Sequence, residues 1–170
     1  MSQGLQNLRA EARAAASEVL STYWDGTVPV DPIAIARKLG VQVFNAQLGD
    51  DEWGMIIGSE FGADIYLDED QPPTRYRFSC AHELGHYIDH QRANVEPLPP
   101  GSGYVDKRST AGAGTRNEIY ANEFAASILM PEDPFRRMAS ENKSDFLLAI
   151  TFDVSPDAVK WRRYNLGLSE

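Results

Sequence analysis

The stretch that organises this chain is His82-Glu83-Leu84-Gly85-His86, a five-residue H-E-x-x-H pattern. In an α-helix, residues at positions i and i+4 lie on one face, about 6 Å apart along the axis. The two imidazoles can then converge on one zinc ion, and the intervening glutamate can act as a general base toward a zinc-bound water. All three histidines of the chain fall between residues 82 and 90. The spacing therefore predicts a zinc site, with an ordinary solvated helix as the alternative.

Composition is that of an ordinary globular protein. The 170 residues are 42% hydrophobic, and a chain of this length can bury roughly 70% of its unfolded surface in one domain. We therefore predict a single domain over residues 1–170. The formal charge of −9 disfavours nucleic-acid binding, because phosphate repels an acidic protein without a basic patch. No stretch is apolar for long enough to span a bilayer, so we expect a cytoplasmic protein without membrane contact.

The pattern of apolar residues predicts the α+β class. Helices are expected over residues 5–23, 32–39, 75–91, 117–130, 132–141, 143–152 and 157–165. Strands are expected over residues 41–45, 53–58 and 63–67, with 58–62 as the turn of an antiparallel hairpin. This set predicts a small three-stranded sheet packed against the motif helix and several further helices, with a helical C-terminal part over about 132–170.

The segment 94–116 is rich in proline, glycine and small polar residues. Its length and composition predict an exposed, flexible loop without secondary structure of its own. Both a mobile flap over the site and a loop that is simply disordered are compatible with this sequence.

A catalytic zinc usually has three protein ligands, so the motif needs one more. His90 follows His82 by eight residues and lies about 12 Å along the axis, too far for the same ion. Cys80 points about 200° around the helix from His82, and we expect it to be a buried thiol. Asp89 and Arg92 stand where the H-E-x-x-H-x-x-G-x-x-H class requires glycine and histidine, which excludes that class. The third ligand must therefore come from a later helix.

Two carboxylates of the helix 117–130, Glu118 and Glu123, can complete a His₂Glu zinc site. We prefer Glu118, because Asn122 lies one turn further on the same face. Asn122 can there accept a hydrogen bond from the distal nitrogen of a zinc-bound imidazole. Glu123 lies near the same face but has no such neighbour. The predicted zinc ligands are His82, His86 and Glu118.

Two longer stretches resemble a known family. Residues 77–87 read Arg-Phe-Ser-Cys-Ala-His-Glu-Leu-Gly-His-Tyr, and residues 118–131 read Glu-Ile-Tyr-Ala-Asn-Glu-Phe-Ala-Ala-Ser-Ile-Leu-Met-Pro. Together they resemble the ImmA/IrrE family of metallopeptidases, and the second stretch is the more discriminating. The flanks 29–41 and 152–159 resemble the family as well, so the likeness extends from about residue 29 to the end.

The resemblance implies a zincin-like fold of the gluzincin kind and a zinc peptidase. It assigns zinc binding to His82, His86 and Glu118, and it makes Glu83 the catalytic base. The segment 117–122 also resembles the N-E-x-x-x-D element of thermolysin-like enzymes, with Asn122 where aspartate is usual. Family members often cleave helix-turn-helix transcriptional repressors, so the resemblance implies such a repressor as the substrate.

We accordingly expect a zinc-dependent endopeptidase that hydrolyses a peptide bond through a metal-activated water. Tyr104 and Tyr120 are alternatives for stabilising the oxyanion, and manganese or iron are alternatives to zinc. A deformylase-like amidohydrolase would need a cysteine ligand on a separate strand, whereas Cys80 lies on the motif helix. The alternative function is a non-hydrolytic metal-binding module that binds a repressor or DNA. Residues 152–159 favour it, because they read like a helix-turn-helix followed by three basic residues, Lys160, Arg162 and Arg163.

Overall fold

The computed structural model describes residues 3–94, 96–107, 114–141 and 143–168. Within these ranges the chain forms seven helices and a four-stranded sheet. The helices are α1 (Gln3–Tyr23), α2 (Pro32–Lys38), α3 (Pro73–Ala93), α4 (Arg116–Leu129), α5 (Glu132–Ser140), α6 (Asp145–Phe152) and α7 (Pro156–Asn165). The strands are β1 (Val41–Ala46), β2 (Glu52–Ser59), β3 (Gly62–Asp68) and β4 (Gly103–Lys107). The α+β class predicted from the sequence is confirmed.

Side-chain caps begin several of the helices. The Asp31 carboxylate accepts hydrogen bonds from the first backbone N–H groups of α2, and the Ser155 hydroxyl does the same for α7. At the start of α4, the Thr115 hydroxyl accepts a hydrogen bond from the backbone N–H of Glu118. This cap places Glu118 in the first turn of α4, on the side that faces α3.

The sheet has the strand order β1-β3-β2-β4. Strands β2 and β3 form the predicted antiparallel hairpin, while β1 pairs with β3 in parallel. Strand β4 pairs antiparallel with the outer edge of β2. The closest approach is at Gly103, where a Cβ atom would lie 1.8 Å from the carbonyl oxygen of Ile56, so only glycine fits there.

Strand β4 corrects two expectations from the sequence. The sheet has four strands rather than three, and the segment 94–116 contains a strand although we expected none. β4 is only five residues long and has one buried residue, Asp106. Its hydrogen-bond partner β2 lies far away in the chain, so the local sequence carries little signal for it. Residues 95 and 108–113 of the expected flexible loop lie outside the described residues.

Helix α3 lies between the sheet and α4. Every residue from Ser79 to Asp89 is buried, because the sheet covers one side of the helix and α4 covers the other. The two helices approach closely at Gly85, where a Cβ atom would lie 3.0 Å from the Cα atom of Ala121. The helix that carries the H-E-x-x-H motif is therefore held on two sides. In the described part of the chain, no helix has both the length and the hydropathy needed to cross a membrane.

Candidate metal centre

Three predicted ligands converge where the middle of α3 meets the first turn of α4. The Nε2 atoms of His82 and His86 lie 3.1 Å apart. One carboxylate oxygen of Glu118 lies 3.2 Å from Nε2 of His82, and the other lies 3.2 Å from Nε2 of His86. Both histidines are buried, whereas the Glu118 side chain remains 23% exposed. The cluster is thus enclosed on the protein side and open to solvent beside Glu118.

Asn122 orients one of these rings. Its Oδ1 atom lies 3.0 Å from Nδ1 of His82. Because an amide oxygen can only accept a hydrogen bond, Nδ1 must carry the proton, and in a neutral ring Nε2 is then a bare acceptor. The lone pair of His82 Nε2 therefore points toward Glu118 and His86.

The donor set fits a small divalent cation. Metal–ligand distances of about 2.0–2.1 Å in a tetrahedral site separate neighbouring ligand atoms by about 3.3–3.4 Å. The observed separations of 3.1 and 3.2 Å among the three side chains are close to these values. Without a cation, the two imidazole nitrogens and the carboxylate would direct lone pairs at one another. A bound cation would remove this repulsion. His82, His86 and Glu118 could therefore hold a metal ion.

The charges at the site favour the protonation states that a metal requires. Burial alone would raise the pKa of Glu118, but the close contacts with His82 and His86 outweigh burial and lower it below its ordinary value. Burial lowers the pKa of His86, which favours the neutral ring. An ionised carboxylate and a neutral imidazole are the forms that bind metals.

Glu83 lies beside the ligands, fully buried at 0% exposure. Neither of its carboxylate oxygens has a hydrogen-bond partner among the described residues. Burial raises its pKa well above the ordinary value, and the negative charges of Asp106 and Glu118 raise it further. The unpaired carboxyl group is thus available to a water or a substrate at the centre.

Asp106 is a site residue that sequence reasoning missed. Its carboxylate lies within 4.8 Å of ligand-type atoms of both His82 and Glu83. It accepts a hydrogen bond of 2.6 Å from Arg75, whose guanidinium stacks over the Trp53 ring at 5.0 Å. The prediction failed here because strand β4 was not foreseen. The β-prone residues Tyr104 and Val105, directly before Asp106, were the only local signal.

The two tyrosines considered for oxyanion stabilisation have different surroundings. The Tyr104 ring stacks on His86 with a centroid distance of 4.6 Å and an interplanar angle of 3°. The Tyr120 hydroxyl is buried without a described partner, and burial raises its pKa to about 12. Its ring contacts are with Phe124 and Arg116. Tyr104 therefore lies against a predicted ligand.

Residues that were set aside as ligands are engaged elsewhere. The Glu123 carboxylate pairs with Arg9 and Arg13 at 3.1 Å each, on the side of α4 that faces α1. His90 is partly exposed near the end of α3, with Nδ1 3.4 Å from the amide nitrogen of Asn94. Cys80 is fully buried, and burial raises its thiol pKa.

The fold and the site together define a zincin-like α+β protein, in which an H-E-x-x-H helix meets a carboxylate from the following helix. Residues 36–163 match the Peptidase_M78 family, described as the IrrE N-terminal-like domain. The chain belongs to this peptidase family, which confirms the resemblance found in the sequence.

Structural similarity extends to a solved structure called a Mycobacterium tuberculosis transcriptional regulator. It aligns with a TM-score of 0.59 and 18% sequence identity, over 91% of this chain and 50% of that one. At this identity the likeness concerns the fold, and the chain spans about half the length of the regulator. Comparison with curated proteins found no match.

Proposed function

We propose that the protein is a zinc-dependent endopeptidase with His82, His86 and Glu118 as the metal ligands. The observation that carries this proposal is the convergence of the three side chains within 3.1–3.2 Å of one another beside the unpaired carboxyl of Glu83. Membership of a peptidase family supports the reaction type. When bound, zinc would act as a Lewis acid that lowers the pKa of a water and polarises the scissile carbonyl.

Glu83 is the proposed catalytic base. A carboxyl whose pKa is raised well above its ordinary value is a stronger base once ionised, which suits a group that must accept a proton and return it. Glu83 would accept the proton of the attacking water and donate it to the leaving amine. Asn122 would keep His82 in the required tautomer, and Tyr104 would hold the ring of His86 by stacking.

The proposed substrate is a helix-turn-helix transcriptional repressor, and the proposed location is therefore the cytoplasm. The likeness of residues 77–87 and 118–131 to ImmA/IrrE peptidases supports this substrate, and so does the fold shared with a protein called a transcriptional regulator. Strand β4 is an edge strand next to the site, so an extended peptide segment could add to the sheet there.

Direct DNA binding through α7 is not part of the proposal, because two of its three basic residues are engaged within the protein. Arg162 is 1% exposed and donates to the Met130 carbonyl oxygen and the Ser127 hydroxyl. Arg163 donates to the Asp145 carboxylate at 2.7 Å. Only Lys160 of the three extends largely into solvent, with its side chain 66% exposed.

The test uses helix-turn-helix repressors encoded by neighbouring genes, incubated with the protein and analysed by intact mass. We expect cleavage of one peptide bond, loss of cleavage with a chelator, and recovery when zinc is restored. Glu83→Gln should retain zinc but lose at least about 100-fold in cleavage rate, because general-base catalysis contributes factors of about 10² to 10⁴. Glu60→Gln, in the exposed hairpin turn, is the matched control. Full cleavage by zinc-loaded Glu83→Gln would overturn the proposal.

A further inference from the structure

A groove of about 380 Å³ lies beside the metal centre, between α1, α3, α4 and α7. Its walls are mainly apolar, formed by Phe78, Ile119, Ala126, Ala158 and Trp161. The Trp161 side chain is 58% exposed although it is the largest of these groups. An indole left in contact with solvent along an apolar groove is a typical binding surface for an apolar side chain.

One end of the groove adjoins the metal centre. Phe78 and Asn122 line this end, and both also contact His82. The rings of Phe78 and His82 have a centroid distance of 6.0 Å, and Asn122 accepts the hydrogen bond from Nδ1 of His82. A chain bound at the centre could therefore continue into the groove past these two side chains.

The other end of the groove lies at a cluster of arginines around Glu123. Arg9 lines it and ion-pairs with Glu123 at 3.1 Å. Arg13 and Arg162 lie 3.1 and 3.7 Å from the same carboxylate. Three guanidinium groups thus face one carboxylate, and of these four side chains Arg9 and Glu123 line the groove itself. In a chain with a net charge of −9, this cluster is a site where an anionic group would be stabilised.

We propose that the groove binds the substrate segment next to the scissile bond, with an apolar side chain against Trp161 and a carboxylate near Arg9. Along α4, Glu123 follows Glu118 by five residues, which is about 7.5 Å along the helix axis and about 140° around it. An extended peptide advances about 3.3 Å per residue, so the carboxylate belongs at least two or three residues from the cleaved bond. Arg9 is then a specificity-determining residue. This inference rests on the proposed peptidase function.

The test measures binding rather than cleavage, with zinc-loaded Glu83→Gln protein and fluorescein-labelled peptides. The probe is Gly-Gly-Leu-Phe-Glu-amide, compared with the peptide that ends in Gln-amide and with Gly-Gly-Gly-Gly-Glu-amide. We expect each change in the peptide to weaken binding at least about tenfold by fluorescence anisotropy. Tenfold corresponds to the loss of one modest charge or apolar contact.

Variants assign the preference to the groove. Arg9→Gln should abolish the preference for the Glu peptide over the Gln peptide, and Arg9→Lys should retain most of it. Trp161→Ala should weaken binding of the Leu-Phe peptides at least about tenfold. Arg37→Gln, on the exposed side of α2, should change nothing. Thermal unfolding of each variant verifies that the protein remains folded.

The outcomes separate this inference from the proposed function. If Arg9→Gln keeps the preference for Glu, or if the wild-type groove does not discriminate among the peptides, the groove assignment is wrong even when repressors are still cleaved. If the discrimination is found but no repressor is cleaved, the groove assignment stands as a peptide site and the peptidase proposal fails. The protein could instead form a dimer that Trp161→Ala dissociates and that the peptide does not disrupt. That result would assign the groove to a second copy of the chain and would overturn the inference.

Discussion

Nδ1 of His82 lies 3.0 Å from the amide oxygen of Asn122, and this contact determines which nitrogen of the ring faces Glu118. The partner is a neutral amide, so it fixes the tautomer without adding a negative charge behind the ring. Hydrogen bonds of this kind orient metal-bound imidazoles and raise their basicity. The relation between the two residues therefore has a measurable consequence for metal affinity.

Asn122→Ala should weaken zinc binding by about 10- to 100-fold, because the ring of His82 loses both its tautomer preference and its fixed orientation. Asn122→Asp should bind zinc at least as tightly as the wild type, since a carboxylate accepts the same hydrogen bond with added charge. Affinities can be measured by competition with a chromophoric chelator. Asn117→Ala, on the exposed side of α4, is the control. Unchanged affinity in Asn122→Ala would show that the amide does not support the ligand.

Zinc should stabilise the folded protein through the three converging side chains. At a free zinc concentration 100 times the dissociation constant, linkage predicts about 2.7 kcal/mol of added stability. Thermal unfolding with zinc and with a chelator measures the difference as a shift in Tm. Glu118→Gln should remove most of the shift, whereas Glu60→Gln should keep it. A zinc-dependent shift that survives in Glu118→Gln would place the metal elsewhere.

Glu83→Gln should stabilise the metal-free protein at neutral pH. The pKa of Glu83 is raised by burial and by the charges of Asp106 and Glu118, so it is higher in the folded than in the unfolded chain. Glu83 therefore favours folding at pH values below its pKa in the unfolded chain. This contribution to stability is lost as the pH rises through its pKa in the folded protein. The gain from Gln should be at least about 1 kcal/mol near pH 7.5, because a difference of one pKa unit between the folded and unfolded chain corresponds to about 1.4 kcal/mol.

Chelator-treated wild-type and Glu83→Gln proteins can be compared by thermal unfolding from pH 4 to pH 8. The difference in Tm should shrink toward the acidic end of this range, where Glu83 is protonated in both states. A difference that does not change with pH would show that the charge of Glu83 does not limit stability.

Gly85→Val should disrupt the contact between the two helices that carry the ligands. A Cβ atom at residue 85 would already lie 3.0 Å from Cα and 3.2 Å from the carbonyl oxygen of Ala121. A valine adds two further methyl groups, and overpacking of this kind costs about 1–3 kcal/mol. Because α4 would have to move away from α3, zinc affinity should fall together with stability.

The control for this substitution is Gly4→Val, near the start of α1, where a Cβ atom meets nothing within 4 Å. Stability is measured by urea unfolding and affinity by chelator competition. If Gly85→Val lowered stability while zinc affinity stayed the same, the position of Glu118 would not depend on this close contact.

Glu123→Gln should strongly destabilise the protein. The Glu123 side chain is 1% exposed and faces Arg9, Arg13 and Arg162, so its loss would leave the buried Arg162 and the partly exposed Arg9 and Arg13 without this counter-charge. Removing one partner of a buried ion pair costs about 3–5 kcal/mol. Glu18→Gln, which breaks an exposed pair with Arg92, should cost less than about 1 kcal/mol. Urea unfolding of the two variants compares them, and equal losses would refute the structural role of the buried cluster.

Local sequence patterns were sufficient for much of the fold. Helical periodicity and capping residues such as Asp31 and Ser155 predicted the helices to within a few residues. The i, i+4 spacing of His82 and His86 also belongs to the local sequence, because one helix sets the separation of the two rings. The choice of Glu118 over Glu123 came from a local relation too, namely that Asn122 stands one turn after Glu118.

Only the tertiary structure decided which distant residues surround these groups. Strand β4 pairs with β2 across a long stretch of chain, and this pairing brings Asp106 to Glu83 and to Arg75, 31 residues away in sequence. Arg9 meets Glu123 across 114 residues, which forms the charged end of the groove. Such contacts have no periodic signature, because they depend on how complete elements pack after their local structure is set. The sequence by itself determined the H-E-x-x-H motif and its helix, whereas packing decided the surroundings of Glu83 and the shape of the adjoining groove.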